Sequence, residues 1–145
     1  MKAVVQRVRQ GRVTVESQVI AEIGWGLVIL LGIGPDDDEE KARTLARKIA
    51  LLRIFEDELG KMNRSVLDIH GRAIVVSQFT LYADTRKGNR PSFTGAALPD
   101  LARPLCDYFA QLLTEQGVPT QTGEFGAHMQ VDIENNGPVT ILFEL

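Results

Sequence analysis

Gly24-Trp25-Gly26-Leu27-Val28-Ile29-Leu30-Leu31 decides the fold class of this 145-residue chain. The two glycines around Trp25 mark a turn, and five apolar residues follow without a polar alternation. A short continuous run of this kind fits a strand covered on both faces, as helices cover a central sheet. The apolar stretch from Leu27 to Ile33 is far too short to span a bilayer.

Helical signals lie immediately downstream. Pro35-Asp36-Asp37-Asp38-Glu39-Glu40 is an acidic start that complements the positive end of a helix dipole. Ala42, Leu45, Ala46, Ile49 and Leu52 then recur at helical spacing, with Lys48 and Arg53 toward the other end. Ala73 to Gln78 predicts a second buried strand that ends in polar groups. A second helix is predicted from Leu98 to Gln116, with Leu101, Leu105, Phe109 and Leu112 on one face. Pro104 predicts that this helix starts nearby or kinks there, and Gly117 with Pro119 marks its stop.

Alternation dominates both ends of the chain. Val4, Gln6 and Val8 alternate with Val5, Arg7 and Arg9, and Val13 and Val15 with Thr14 and Glu16, predicting two β-like stretches. Met129, Val131 and Ile133 alternate with Gln130, Asp132 and Glu134, and Val139, Ile141 and Phe143 alternate with Thr140 and Leu142. Asn135-Asn136-Gly137-Pro138 between them has the composition of an ordinary hairpin connection. The reading is a mixed α/β fold in one domain over residues 1–145, with several antiparallel strands and two main helices.

Composition narrows the function. A formal charge of −3 gives no global nucleic-acid footprint, so any RNA contact has to use a local patch. Cys106 is the only cysteine and has no internal partner, which points to a reducing compartment. The start Met1-Lys2-Ala3-Val4-Val5-Gln6-Arg7 lacks a signal-peptide layout, and the expected location is cytoplasmic.

Common hydrolase signatures are missing: there is no Gly-x-Ser-x-Gly, His-Glu-x-x-His or Cys-x-x-Cys. His70 and His128 stand alone, and Cys106 falls within a helical apolar pattern. Neither a metal site, a cofactor nor a Ser-His-Asp triad is expected. Ser77-Gln78-Phe79-Thr80-Leu81, on pattern alone, is a strand end satisfying its backbone. The next stretch, Thr85 to Phe93, adds Arg86, Lys87 and Arg90 in one loop. Cations for phosphate beside an aromatic suit a single-stranded RNA end, though a solvated basic loop has the same composition. Gly137-Pro138 is a hairpin turn or, with a cis bond, a corner whose neighbouring carbonyls face one way and accept an ammonium group.

Long motifs in one order link these segments: Ala3-Val4-Val5-Gln6-Arg7-Val8, Val13-Thr14-Val15, Gly26-Leu27, Ser77 to Asp84, Lys87 to Phe93, and Asn136-Gly137-Pro138-Val139-Thr140. Over essentially its whole length the chain resembles the bacterial-type D-aminoacyl-tRNA deacylases, often called D-tyrosyl-tRNA deacylases. Asn136 stands where that family often carries Asp. The resemblance implies a largely antiparallel, barrel-like sheet and a homodimer with active sites at the subunit interface. It implies that Gly137-Pro138 of one subunit is cis and enters the partner's pocket, where its carbonyls hold the α-amino group of the aminoacyl ester. Ser77, Gln78, Phe79 and Thr80 would form the other wall, Arg7 would brace the Gly-Pro loop, and Arg86, Lys87 and Arg90 would meet the tRNA 3′ end.

Stereochemistry follows from such a site. With the ammonium pinned and the carbonyl fixed, a rigid backbone wall on the L side rejects anything larger than hydrogen. Many D side chains would pass, and so would glycine, including glycine mischarged on tRNA(Ala). Two chemical routes stay open: attack by Thr80, or water oriented by the terminal 2′-hydroxyl of the tRNA. A non-catalytic RNA-end binder and a hydrolase of small D-amino esters are the competing classes.

Overall fold

The computed structural model describes residues 1–145. The chain opens with β1 (Lys2–Val15), β2 (Gln18–Ile23) and β3 (Gly26–Gly32), followed by α1 (Glu39–Ala50). A small hairpin of β4 (Phe55–Glu56) and β5 (Met62–Arg64) precedes β6 (Arg72–Ser77). Then come a 3₁₀ turn (Phe79–Tyr82), α2 (Pro99–Glu115), β7 (Thr120–Thr122) and β8 (Gln130–Glu144).

The two stretches read at the start of the chain are one 14-residue strand. Its first half pairs antiparallel with β3 and its second half with β2, while β8 runs along its other edge. Gly11 sits at the changeover. A Cβ there would stand 2.6 Å from Val28 Cγ2, so any larger residue would have to push the inner apolar layer aside. β3, β6 and β7 continue the sheet in parallel. The ring is then shut by one side chain: Gln121 donates from Nε2 to the Glu22 carbonyl and accepts the Glu22 N–H. The sheet is thus a nearly closed barrel, as expected.

Two apolar layers hold it together. Val8, Val13, Ala21, Ile23, Val28, Ile74 and Val76 fill the inside. Leu27, Ile29 and Leu31 point the other way, into a larger core with Leu45 and Ile49 of α1 and Phe109 and Leu113 of α2. β3 is therefore buried on both faces, which accounts for its unbroken apolar run. Asp38 caps α1 by accepting the Lys41 N–H. α2 begins at Pro99, the favoured first-turn position for proline, and runs on through Pro104. No helix is long and apolar enough to cross a membrane.

The hairpin reading of Asn135–Pro138 is corrected. Both flanks pair antiparallel with the same strand, Asn135 opposite Val8 and Thr140 opposite Gln6. The chain does not reverse. Residues 136–139 bulge out opposite Arg7 alone, a wide interruption of the β1–β8 ladder.

Candidate active site

β6 delivers the first half of the site. Its ladder with β3 ends at Ser77 opposite Leu31, and the Gln78 N–H donates to the Leu31 carbonyl at 2.7 Å. The strand end read at Ser77–Thr80 therefore stops at Ser77, and the chain turns sharply into the 3₁₀ turn. Gly32 and Gly34 permit this packing, since a Cβ at either would meet Leu81 or Tyr82 within about 3 Å. As the first residues of the turn, Phe79 and Thr80 carry N–H groups without a partner inside it, and no side chain caps them.

Ser77, Gln78 and Phe79 form one wall of an apolar cleft of about 400 Å³. Phe93 closes one side, its ring edge-on to Phe79 at 5.1 Å between centroids and 71° between planes. Ala97 and Leu98 ahead of α2, Ala102 and Cys106 within it, and Phe125 and Gly126 form much of the rest. None of the lining residues is a carboxylate, imidazole, amine or guanidinium. Cys106 is kept a thiol, since burial first and the Asp107 charge second push it up to about 12. Gln78 donates its side-chain N–H to the Thr80 hydroxyl. That partner is a donor, so Thr80 has no neighbouring base to take its proton.

No motif in the sequence marks Leu98, Phe125 or Gly126 as part of a site. Leu98 carries one signal, a large apolar residue at the N-cap of α2 where a small polar one is usual, and it is 77% exposed.

Behind the wall, Tyr82 donates from its hydroxyl to Asp37 Oδ2 at 3.3 Å. Burial favours the protonated form of Asp37, but bonds from the N-terminal ammonium, the Gly34 N–H and Lys41 outweigh it and hold the carboxyl below its ordinary value. The Tyr82 phenol is raised, by burial first and by the Asp37 charge second.

The basic loop lies beside Phe93, and its three cations differ. Arg86 is forked onto Asp84, with Nε to Oδ1 at 2.9 Å and Nη2 to Oδ2 at 2.7 Å. That pairing holds the Asp84 carboxyl below its usual range and spends the Arg86 charge locally. Lys87 and Arg90 are exposed and make no ion pair.

Gly137 and Pro138 form the exposed tip of the β8 bulge, and the peptide bond between them is cis. Arg7 is buried beneath the bulge. It donates from Nε to the Asn136 carbonyl at 2.9 Å and from Nη1 to the Ile54 carbonyl at 2.6 Å, with Glu56 at 3.8 Å from Nη2. The tip does not meet the cleft within this chain. Arg7 sits opposite Leu27 and Ser77 opposite Leu31, and β1 and β3 lie between β8 and β6. Four residues along a strand and three strand spacings put the two roughly 20 Å apart.

The family model for D-Tyr-tRNA(Tyr) deacylase matches residues 4–144. A D-aminoacyl-tRNA deacylase from Roseiflexus sp. (strain RS-1) is 61% identical over 144 residues, covering 99% of this chain and 93% of the relative. One from Limosilactobacillus reuteri (strain DSM 20016) is 51% identical, covering 99% of both. Among solved structures, that of a c-Myc DNA Unwinding Element Binding Protein superimposes with a TM-score of 0.93 at 43% identity, covering 100% of this chain and 99% of that one. A probable eukaryotic D-amino acid tRNA deacylase shares the fold, with a TM-score of 0.87 at 18% identity over 99% of this chain and 98% of that one. From Val4 to Glu144, then, this chain belongs to the D-Tyr-tRNA(Tyr) deacylase family.

Proposed function

We propose that this protein hydrolyses the ester bond of D-aminoacyl-tRNA, releasing the free amino acid and tRNA in the cytoplasm. The observation that carries the reading is the cleft. It is apolar, has no ionisable catalytic side chain, and takes Phe79 into its wall where the 3₁₀ turn begins with N–H groups that have no partner inside the turn, in a chain of deacylase family.

Such a cleft suits an ester whose own tRNA supplies part of the chemistry. The 2′-hydroxyl of the terminal adenosine lies beside the ester and orients or activates water. Positioning of that order lowers a barrier by on the order of 7 kcal/mol. The N–H groups of Phe79 and Thr80 stabilise the developing oxyanion, about 3 kcal/mol per donor. The donor-bound Thr80 hydroxyl favours this route over attack by Thr80 itself. Thr80→Ala should keep near-normal turnover; complete loss with tRNA binding intact would restore the covalent route.

Handedness is read by a second subunit. The exposed Gly137–Pro138 tip and the cleft are too far apart to share a ligand within one chain, which supports a homodimer in which each tip enters the partner's cleft. Its carbonyls hold the α-ammonium, and its backbone leaves no room for an L side chain. Glycine, presenting only hydrogen, passes the same screen, so glycyl-tRNA mischarged on tRNA(Ala) is a second substrate. Lys87 and Arg90, with Arg86 in a lesser role, hold the tRNA end.

Incubation with D-Tyr-tRNA, L-Tyr-tRNA and Gly-tRNA tests the reading: the first and third should be deacylated and the second spared. A nucleic-acid-binding module without catalysis is the second reading, favoured by the 43% identity to a DNA unwinding element binding protein. It predicts release of neither amino acid.

A further inference from the structure

The Gly137–Pro138 tip is exposed, yet a single side chain clasps the bulge behind it. Asn135 Oδ1 accepts the Val139 N–H at 2.8 Å. Asn135 Nδ2 donates to the Val139 carbonyl at 3.3 Å and to the Thr140 hydroxyl at 3.1 Å. Gln6 Nε2 donates to that same hydroxyl at 3.3 Å. Val8↔Asn135 and Gln6↔Thr140 are the regular pairs that flank the interruption, so one amide joins the entry of the bulge to its exit.

Arg7 secures the entry side, through the Asn136 carbonyl. Asn135 secures the exit side, where Val139 turns inward and is buried. A solvated loop with no task needs neither bond, because water satisfies its backbone. A steric screen does need both, since a wall rejects a substituent only if it does not yield. Displacement by about 1 Å is enough to change rates by on the order of a hundredfold.

We infer that Asn135 is a positioning residue that fixes the Gly137–Pro138 corner and thereby sets the ratio of L- to D-aminoacyl ester hydrolysis. This rests on the reading that the corner screens handedness. The signature is a change in selectivity beyond any change in stability, because loosening a clash raises the rate on the excluded substrate.

The test uses Asn135→Ala, Asn135→Asp and Gly137→Ala in the full chain, with D-Tyr-tRNA and L-Tyr-tRNA hydrolysis and the melting temperature as readouts. Asn135→Ala removes all three bonds. Asn135→Asp keeps the acceptor for the Val139 N–H and loses both donors, so it remains informative where the alanine variant fails to fold. In Gly137→Ala the new Cβ would lie 2.7 Å from Val139 Cγ2 and 3.1 Å from Arg7 Nη2, displacing the corner directly. The L/D rate ratio should rise about tenfold or more in Asn135→Ala and by less in Asn135→Asp. A shifted ratio in Gly137→Ala with an unchanged ratio in the folded Asn135 variants would overturn the inference and leave the corner reading intact. An unchanged ratio in Gly137→Ala as well would defeat both.

Discussion

Arg7 reaches the Asn136 carbonyl at 2.9 Å at the one place in the β1–β8 ladder where four residues face a single residue. The cation is only 3% exposed, so it binds two buried-side carbonyls rather than water. Arg7→Ala should cost about 3 kcal/mol in urea unfolding, because the Ile54 carbonyl loses its partner in a dry setting. Arg7→Lys should recover only part of this, since an ammonium cannot reproduce the fork. Equal stability of wild type and Arg7→Lys would contradict the brace.

Gly26 starts the parallel β3–β6 pairing opposite Arg72. A Cβ at Gly26 would fall 1.8 Å from the Arg72 carbonyl oxygen, a contact with backbone that no rotamer relieves. Gly26→Ala should therefore destabilise by about 3 kcal/mol or more, read from the denaturation midpoint.

Asp37 predicts an acid limb in stability. Its folded carboxyl sits below the ordinary value, so the unfolded state binds the proton more readily. The contribution is fully present above the unfolded value, near pH 4, and is lost as pH falls through the folded one. Asp37→Asn should be less stable than wild type at neutral pH. The two curves should converge as pH drops below about 4.

The basic loop predicts unequal salt effects on tRNA binding. Removing Lys87 or Arg90 should weaken binding and reduce the log–log salt slope by roughly 0.7 each. Arg86→Ala should change it less, because Asp84 already offsets that charge. Three equal reductions would show that the Arg86–Asp84 fork opens on binding.

The cleft predicts a simple pH–rate profile. With no acid or base in its lining and the Cys106 thiol pushed up to about 12, no enzyme side chain there titrates near neutrality. A single limb from the substrate's own amine is expected, unmoved by Cys106→Ser. A bell-shaped profile with a limb belonging to the enzyme would require a group from outside the cleft.

Much of this architecture was legible because local rules and the fold agree. The Leu27–Leu31 run is buried on both faces, α1 starts at its acidic cap, and α2 follows the periodic stretch read from Leu98 to Gln116. Pro104 lies in the second turn of a helix that starts at Pro99, and a proline there lowers propensity without ending a helix packed along its length. The Asn135–Pro138 segment misled. Asn-Gly-Pro composition reports a bend, but whether the chain then reverses or resumes its course depends on the partner strand. Only the pairing of both flanks with β1 decides that. The cleft was half legible: Ser77, Gln78 and Phe79 were read from one motif, whereas Leu98 and Phe125 reach it by tertiary folding.

Subunit complementation tests the cross-subunit corner most directly. Gly137→Val alters the tip, and Ala97→Trp fills the cleft; each variant alone should lose D-Tyr-tRNA hydrolysis. Randomly exchanged subunits give mixed dimers in half of the pairs, each with one intact composite site, so the mixture should regain about a quarter of the wild-type rate. No recovery, with mixed dimers verified by mass, would place tip and cleft in separate roles and contradict the account.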